Sequence, residues 1–564
     1  MTKVWNLKKY DESIVKEYCI KYNISSVLAK LLISREVKID DVDSYINATL
    51  DRLYDPFLMK DMDKLVDRVL LAKENNEKVL IYGDYDVDGV TSITILYSFL
   101  KELGMDVHYY LPDRMEEGYG LNKEALLNIK ESGYTLVLTV DCGISAIEEV
   151  EYANSIGLEI CVTDHHECGV VLPNTYAVVN SKRQDCEYPF EMLAGVGVAF
   201  KVITAISIKL ELDKEAYLKY LDIVTIGTIA DIVPLLDENR IITKNGIEKV
   251  RNTNNEGLKA LIKVAGIKNV DSTSISFGMA PRINASGRMA DASVAVQLLL
   301  ENSPIKANSL AQLLDSQNKE RQAVEKKILD EVVNKIEKEK LYERKTLVVS
   351  GKGWHQGVIG IVASKIAEKY VKPVILITYE ENMAKGSGRT PHGISLYDAL
   401  EKCKDVLVQF GGHELAAGIT LEKDRIDEFS NRFEEAVSSM QEKELQDIID
   451  IDLEITQKDI LSGIIKLNDL LLPFGQKNSE PVYLYRNIKV DALCTLKDDK
   501  HLKLGLKDNN FHIDAIGFSL GNRRDELKLG DRIDVVGTLS INDFGKQKKV
   551  QIILKDFKRV IDSK

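Results

Sequence analysis

From Lys78 onward the chain alternates short apolar runs with amphipathic stretches, and this alternation constrains the fold more than any other feature. VLIYGD, DVHYYLP, TLVLTVD and LEICVTD have the length and apolar content of strands, while TSITILYSFLKELG, NKEALLNIKESG and SAIEEVEYANSIG carry helical spacing. Gly104 ends the first of these helices, and Asn122 is placed to cap the second. Strand and helix in strict turn predict repeated βαβ units and a doubly wound parallel sheet. Such sheets bind ligands at the carboxyl ends of their strands, where Asp84, Asp141 and Asp164 each terminate an apolar run.

This α/β domain is predicted over 71–240, after a polar helical preface at 1–70. Residues 241–340 read as a helical region that closes on a long charged helix spacing two domains. TLVVSGKGW opens a second α/β unit over 341–440, and 441–564 alternates strand patterns with short turns, as a small antiparallel barrel does. With 45% hydrophobic and 29% charged residues among 564, the chain can bury several cores. No apolar run reaches membrane-span length, the first residues lack a secretory apolar core, and the seven cysteines contain no CxxC pair. A reduced, cytoplasmic protein is expected. The formal charge is −13, yet Pro481–Lys564 carries 17 Lys and Arg against 12 Asp and Glu, so a basic tail follows an acidic body.

GDYDVDG places Asp84, Asp86 and Asp88 directly after a strand. An EF-hand loop begins with the same spacing but needs Glu at its twelfth position, where this chain has Ile95. A solvated acidic turn is the plain alternative. VDCGIS then offers Asp141, TDHHE offers Asp164, His165 and His166, and GTIADIVPL offers Asp231. Each cluster could be structural; together at the edge of one sheet they point to two divalent cations held by mixed Asp and His ligands.

These motifs, in this order, resemble those of the DHH phosphoesterase superfamily. LYDPFLMKDM, DRMEEGYGLN, APRINASGRM, GWHQGVIGIVASK and QFGGHELAAG narrow the resemblance to the RecJ single-strand-specific exonucleases over nearly the whole chain. The resemblance implies a DHH catalytic domain, a long connecting helix, a DHH-associated substrate-binding domain and an OB-like nucleic-acid-binding barrel. Some family members continue into a further C-terminal domain, and this chain stops soon after the barrel. The implied activity is metal-dependent 5′-to-3′ hydrolysis of single-stranded DNA to 5′-mononucleotides in repair and recombination. It would use two ions, Mn²⁺ or Mg²⁺, and no ATP, since no G-x-x-x-x-G-K-[ST] occurs. A helicase and a single-strand-binding protein are implied as partners. The implied ligand pool is Asp84, Asp86, Asp88, Asp141, His165 and Asp231, with Asp141 the best candidate to bridge. Asp164 would orient an imidazole, and His166 would contact the scissile phosphate or assist proton transfer.

For the substrate, Arg282, Asn284, Ser286 and Arg288 suit phosphate contacts, with Gly287 permitting close backbone approach; arginines paired to the excess Asp are the alternative. Ser387 and Arg389, with Gly411, Gly412 and His413, form a second anion-binding set, fitted to a terminal 5′ phosphate. His355 and Gln356 open a helix as anion ligands or as its cap. Arg114 and Tyr119 would line the strand path, with Tyr119 stacking on a base or serving as a buried structural ring. Arg523, Arg524, Lys546, Lys548 and Lys549 are candidates for a backbone-tracking groove on the barrel or for an ordinary solvated face. A phosphodiesterase acting on short oligoribonucleotides or cyclic dinucleotides is the runner-up, disfavoured because such a substrate gains nothing from a distant basic barrel. A non-catalytic single-strand clamp should have lost ligands, and none is missing.

Overall fold

In the computed structural model, residues 3–114, 117–118, 120–391, 393–440, 448–542 and 549–560 are described. The chain divides into two compact units, one of Asp55–Asp231 with Ile247–Leu445, the other of Met1–Tyr54, Ile232–Gly246 and Gln446–Lys564.

The first unit contains the expected parallel sheet. Its strands run in the order Asp106–Tyr110, Lys78–Gly83, Leu136–Val140, Glu159–Thr163, Ala177–Val179, all parallel. The central strand Leu136–Val140 is buried at every position, as a sheet covered by helices on both faces requires. Chain order reverses direction between Lys78–Gly83 and Leu136–Val140, so the switch-point crevice opens beside Asp84 and Asp141. Asn122 caps Lys123–Glu131 by accepting from the Ala125 N–H.

A second, mixed sheet in the same unit runs Gln409–Gly412, Ala416–Glu422, Met383–Arg389, Val374–Tyr379, Leu347–Lys352. Only its last pair is parallel, joined by the crossover helix Gln356–Tyr370. The long helix spans Pro304–Lys338. It is not a bare spacer: Ala307, Ala311, Leu314, Asn318, Arg321, Glu325, Ile328, Val332 and Ile336 form one buried stripe at three- and four-residue steps. That stripe packs on Glu256–Val264, Ala280–Met289 and Gln356–Tyr370. Its centre is polar, with Arg321 bonded to Asn318 and to Glu325.

In the other unit, Tyr483–Leu496, His501–Asp508, Phe511–Gly517, Lys549–Arg559 and Arg532–Asn542 pair in sequence and close back on Tyr483–Leu496, which makes a five-stranded barrel. The helices Glu12–Tyr22 and Ser26–Ile33 share one apolar core with the barrel interior, and Val4–Leu7 pairs in parallel with Ile448–Ile451. Arg240, 1% exposed, holds this core together: its guanidinium donates to the carbonyls of Tyr45, Leu470 and Leu471. Among the described residues no helix is long and apolar enough to cross a membrane.

Candidate metal centre and substrate cleft

Each acidic motif reaches the switch point by a different local device. Asp84 follows the strand Lys78–Gly83. Asp86 is the N-cap of the helix Val87–Glu102, its Oδ1 accepting from the N–H groups of Asp88 (2.8 Å) and Gly89 (3.1 Å). Gly89 lets the helix start lie against the Asp84 carbonyl, where any Cβ would collide. Asp88, one residue inside the helix, accepts from the backbone N–H groups of Gly195 (2.6 Å) and Val196 (2.8 Å) at the start of Gly195–Lys209. Asp141 ends its strand with φ +59°, and a Cβ on Gly195 would stand 2.6 Å from Asp141 Oδ1. Asp231 enters from the C-terminal end of the helix Leu221–Ala230.

These groups converge. His165 Nε2 is 3.1 Å from Asp141 Oδ1 and 3.7 Å from both Asp88 Oδ2 and Asp231 Oδ2. Three overlapping sets offer ligand atoms within 4.8 Å of one another: Asp84, Asp86 and Asp141; Asp88, His165 and Asp231; Asp141, His165 and His166. Burial, reinforced by Asp86, lifts Asp84 to about 8 and Asp88 to about 7. Burial and the neighbouring aspartates push Asp141 and Asp231 well above the usual carboxylate range. Such a cluster needs positive charge to ionise together. Burial drives His165 down to about 3, so its imidazole is neutral and competent as a ligand. Asp84 Oδ1 is buried with no hydrogen-bond partner among the described residues, an acceptor that a cation would satisfy. Hard oxygen donors with one neutral imidazole fit Mn²⁺ or Mg²⁺.

Asp164 and His166 behave differently. Asp164 accepts from the N–H groups of Ile144, His165 and His166 and from the His166 ring, with Nδ1 to Oδ1 at 2.7 Å. Burial presses His166 down, but the Asp164 carboxylate outweighs it and leaves its pKa raised. Asn180, fully buried, donates to the His166 carbonyl at 2.9 Å. Asn180 and Gly195 are absent from the candidates that the motifs supply. Asn180 ends the apolar run AVVN just as Asp84 and Asp141 end theirs, and that shared position is the signal the sequence holds for it.

Facing the carboxylates is a cationic cleft. Arg114 stacks on Tyr85 at 5.1 Å. Burial, with Arg114 and Arg321 beside it, lowers Arg288 to about 10; burial and Arg114 lower Arg389. Arg288 Nη1 donates to the Gly357 carbonyl (3.2 Å), and Arg389 Nη1 donates to Ser387 Oγ (3.1 Å). Arg282 stands apart, its Nε 2.9 Å from Asp315 Oδ1 and its Nη1 on the Gly278 carbonyl. It clamps two helices and is not a free phosphate fork. Asn284 is half-buried, and Ser286 is buried with its hydroxyl on the Ile283 carbonyl. Gly287 does allow a close approach, but of the Tyr85 carbonyl, 2.5 Å from where its Cβ would be. PRINASGR is therefore a helix, within Ala280–Met289, packed against the acidic loop at Tyr85.

Gly411 and Gly412 end an exposed strand, and His413, also exposed, donates its N–H to the Ala416 carbonyl. His355 caps Gln356–Tyr370, Nδ1 accepting from the Gly357 N–H at 3.2 Å. Tyr119, Lys546 and Lys548 lie outside the described residues. On the barrel, Arg523 is paired with Asp556 and Glu526, and Arg524 with Asp525, while Lys549 begins an exposed strand end.

The comparisons with known proteins agree with this geometry domain by domain. Residues 78–228 match the DHH family, N-terminal domain; 343–439 match the DHHA1 domain; 451–556 match the RecJ OB domain. The single-stranded-DNA-specific exonuclease RecJ of Bacillus subtilis (strain 168) is 39% identical over 559 residues, 98% of this chain and 70% of that protein. The crystal structure of RecJ in complex with Mn²⁺ from Thermus thermophilus superposes with a TM-score of 0.86 at 27% identity, covering 99% of this chain and 80% of that one. The corresponding Mg²⁺ complex gives 0.79 at 24% identity, covering 99% and 79%, a likeness of fold. An identity of 39% sustained from the switch-point carboxylates through the barrel leaves one conclusion: the chain belongs to the RecJ family of single-stranded-DNA-specific exonucleases.

Proposed function

We propose that the chain removes 5′-mononucleotides from single-stranded DNA in the 5′-to-3′ direction, acting in the cytoplasm in repair and recombination. The observation that supports this most directly is a buried Asp and His cluster at the switch point with Arg114, Arg288 and Arg389 gathered beside it. Asp84, Asp86, Asp88, Asp141, His165 and Asp231 would hold two divalent cations, Mn²⁺ or Mg²⁺. When bound, such a pair activates an attacking water and stabilises the leaving 3′ oxygen. The chain's own groups do the rest. Asp164 fixes the His166 ring through Nδ1 and raises its pKa, which favours the form that donates to a nonbridging oxygen of the scissile phosphate. Arg114 and Arg288 draw the strand toward the carboxylates, and Ser387, Arg389 and Gly411 to His413 receive the terminal 5′ phosphate.

Hydrolysis of oligoribonucleotides or cyclic dinucleotides is not favoured, because the likeness to single-stranded-DNA exonucleases continues through the barrel. Proteins that open or coat single strands, a helicase and a single-strand-binding protein, are the partners this substrate calls for. The deciding experiment offers the purified protein 5′-labelled and 3′-labelled single strands with Mn²⁺ and no ATP, beside duplex and RNA of the same sequence. Immediate release of labelled mononucleotide from the 5′ label, with gradual shortening of the 3′-labelled strand, is expected. Label released first from the 3′ end would overturn the polarity.

A further inference from the structure

A cavity of about 480 Å³ lies over the second sheet of the larger unit, bounded on one side by Arg114 and Gln356. Its floor includes two rungs of strand pairing on one face of the sheet, separated by the opposite-facing rung of Gly386, Ile419 and Phe410. One rung is Ser387, Gly418 and Gly411; the other is Lys385, Thr420 and Gln409. The first contains residues assigned above to the terminal 5′ phosphate. The second lies outside that subsite. Residues two apart on one face of a strand are about 7 Å apart, so the second rung lies beyond the first by roughly the reach of one or two further phosphoryl groups.

The chemistry of the second rung suits such groups. Lys385, Thr420 and Gln409 supply an ammonium, a hydroxyl and an amide, all donors. Among the described residues the Lys385 side chain makes no ion pair and no hydrogen bond. Among the described residues no Asp or Glu lines the cavity, in a chain with 88 acidic residues against 75 basic ones. The floor at the first rung is bare: a Cβ on Gly411 or Gly418 would meet nothing within 4 Å. A cavity of this size exceeds what one terminal phosphate fills.

We propose that Lys385, Thr420 and Gln409 form a second phosphoryl subsite beyond the 5′-phosphate subsite, so that the protein accepts single strands whose 5′ end carries a triphosphate. This rests on the 5′-end reading above. The product of the first cut would then be a nucleoside triphosphate: water attacks the first internucleotide phosphorus, the 3′ oxygen of the terminal nucleotide leaves, and the 5′ triphosphate departs intact with that nucleotide.

The test compares identical single strands ending in 5′-hydroxyl, 5′-monophosphate and 5′-triphosphate, the last labelled at its γ-phosphate, with wild-type protein, Lys385→Ala and Lys385→Glu. The triphosphate strand should be cut with a KM no higher than the monophosphate strand, its label appearing as nucleoside triphosphate. Lys385→Ala should raise the triphosphate-to-monophosphate KM ratio about tenfold, equivalent to about 1.4 kcal/mol, and Lys385→Glu should raise it further. Refusal of the triphosphate end while the monophosphate end is cut would overturn the subsite, as would an unchanged ratio in both variants. Release of an intact dinucleotide from the 5′-hydroxyl strand would also overturn it, because a nucleotide would then occupy the cavity. Failure to cut any of the three from the 5′ side would instead remove the underlying reading.

Discussion

The Nδ1 atom of His166 sits 2.7 Å from Oδ1 of Asp164, and this contact sets His166 apart from the buried histidine that precedes it. Burial drives His165 down to about 3, whereas His166 is raised by the carboxylate beside it. Asp164→Asn keeps the shape but removes the charge that raises the His166 pKa. The expected outcome is a fall in kcat of about 10²- to 10⁴-fold with single-strand affinity retained, read by turnover and by filter binding. Unchanged kcat would remove His166 from the chemistry.

Asp86 both caps a helix and contributes an oxygen to a possible ligand set. Asparagine caps as well as aspartate, so Asp86→Asn should leave the melting temperature nearly unchanged while abolishing cleavage. Asp86→Ala should in addition cost about 1 kcal/mol of stability from the lost cap. Thermal melts beside activity assays separate the two roles, and an active Asp86→Asn would show that the carboxylate charge is dispensable.

Metal removal should make stability depend on pH. Asp84 and Asp88 have folded pKa values raised to about 8 and about 7, above the unfolded value of 3.8, so the folded state favours their protons. The stability this confers at low pH is lost as pH rises from about 4 through 8. Cations reverse the penalty because they require the ionised carboxylates. The rise in melting temperature on adding Mn²⁺ to chelator-treated protein should therefore grow between about pH 5 and pH 8, by differential scanning fluorimetry. A rise independent of pH would count against these aspartates as ligands.

Two arginines in one helix should separate cleanly. Arg282, committed to Asp315 and the Gly278 carbonyl, should on replacement by Ala cost about 1–3 kcal/mol of stability with little change in KM. Arg288, desolvated beside Arg114 and Arg321, should on replacement by Ala raise KM for single strands about tenfold and weaken its dependence on salt. Equal effects on KM from both would mean that Arg282 leaves Asp315 to meet the substrate.

What is legible in the chain is what near neighbours decide. Strand and helix periods, the cap at Asn122, and aspartates at strand ends follow from residues within a few positions, and the parallel sheet follows from their alternation, whereas the strand order that sets its switch point does not. The acidic and histidine motifs can be read because their types and order are specific. Tertiary structure alone decided which groups remain available. Arg282 and Arg288 differ by six positions and look equivalent in sequence, yet one meets Asp315 from a distant helix and the other does not. Gly287 and Gly195 serve packing against Tyr85 and Asp141, partners 202 and 54 residues away. The helices Glu12–Tyr22 and Ser26–Ile33 share their core with a barrel that begins at Tyr483. Such pairings depend on how packed elements meet in space, and no local period encodes them.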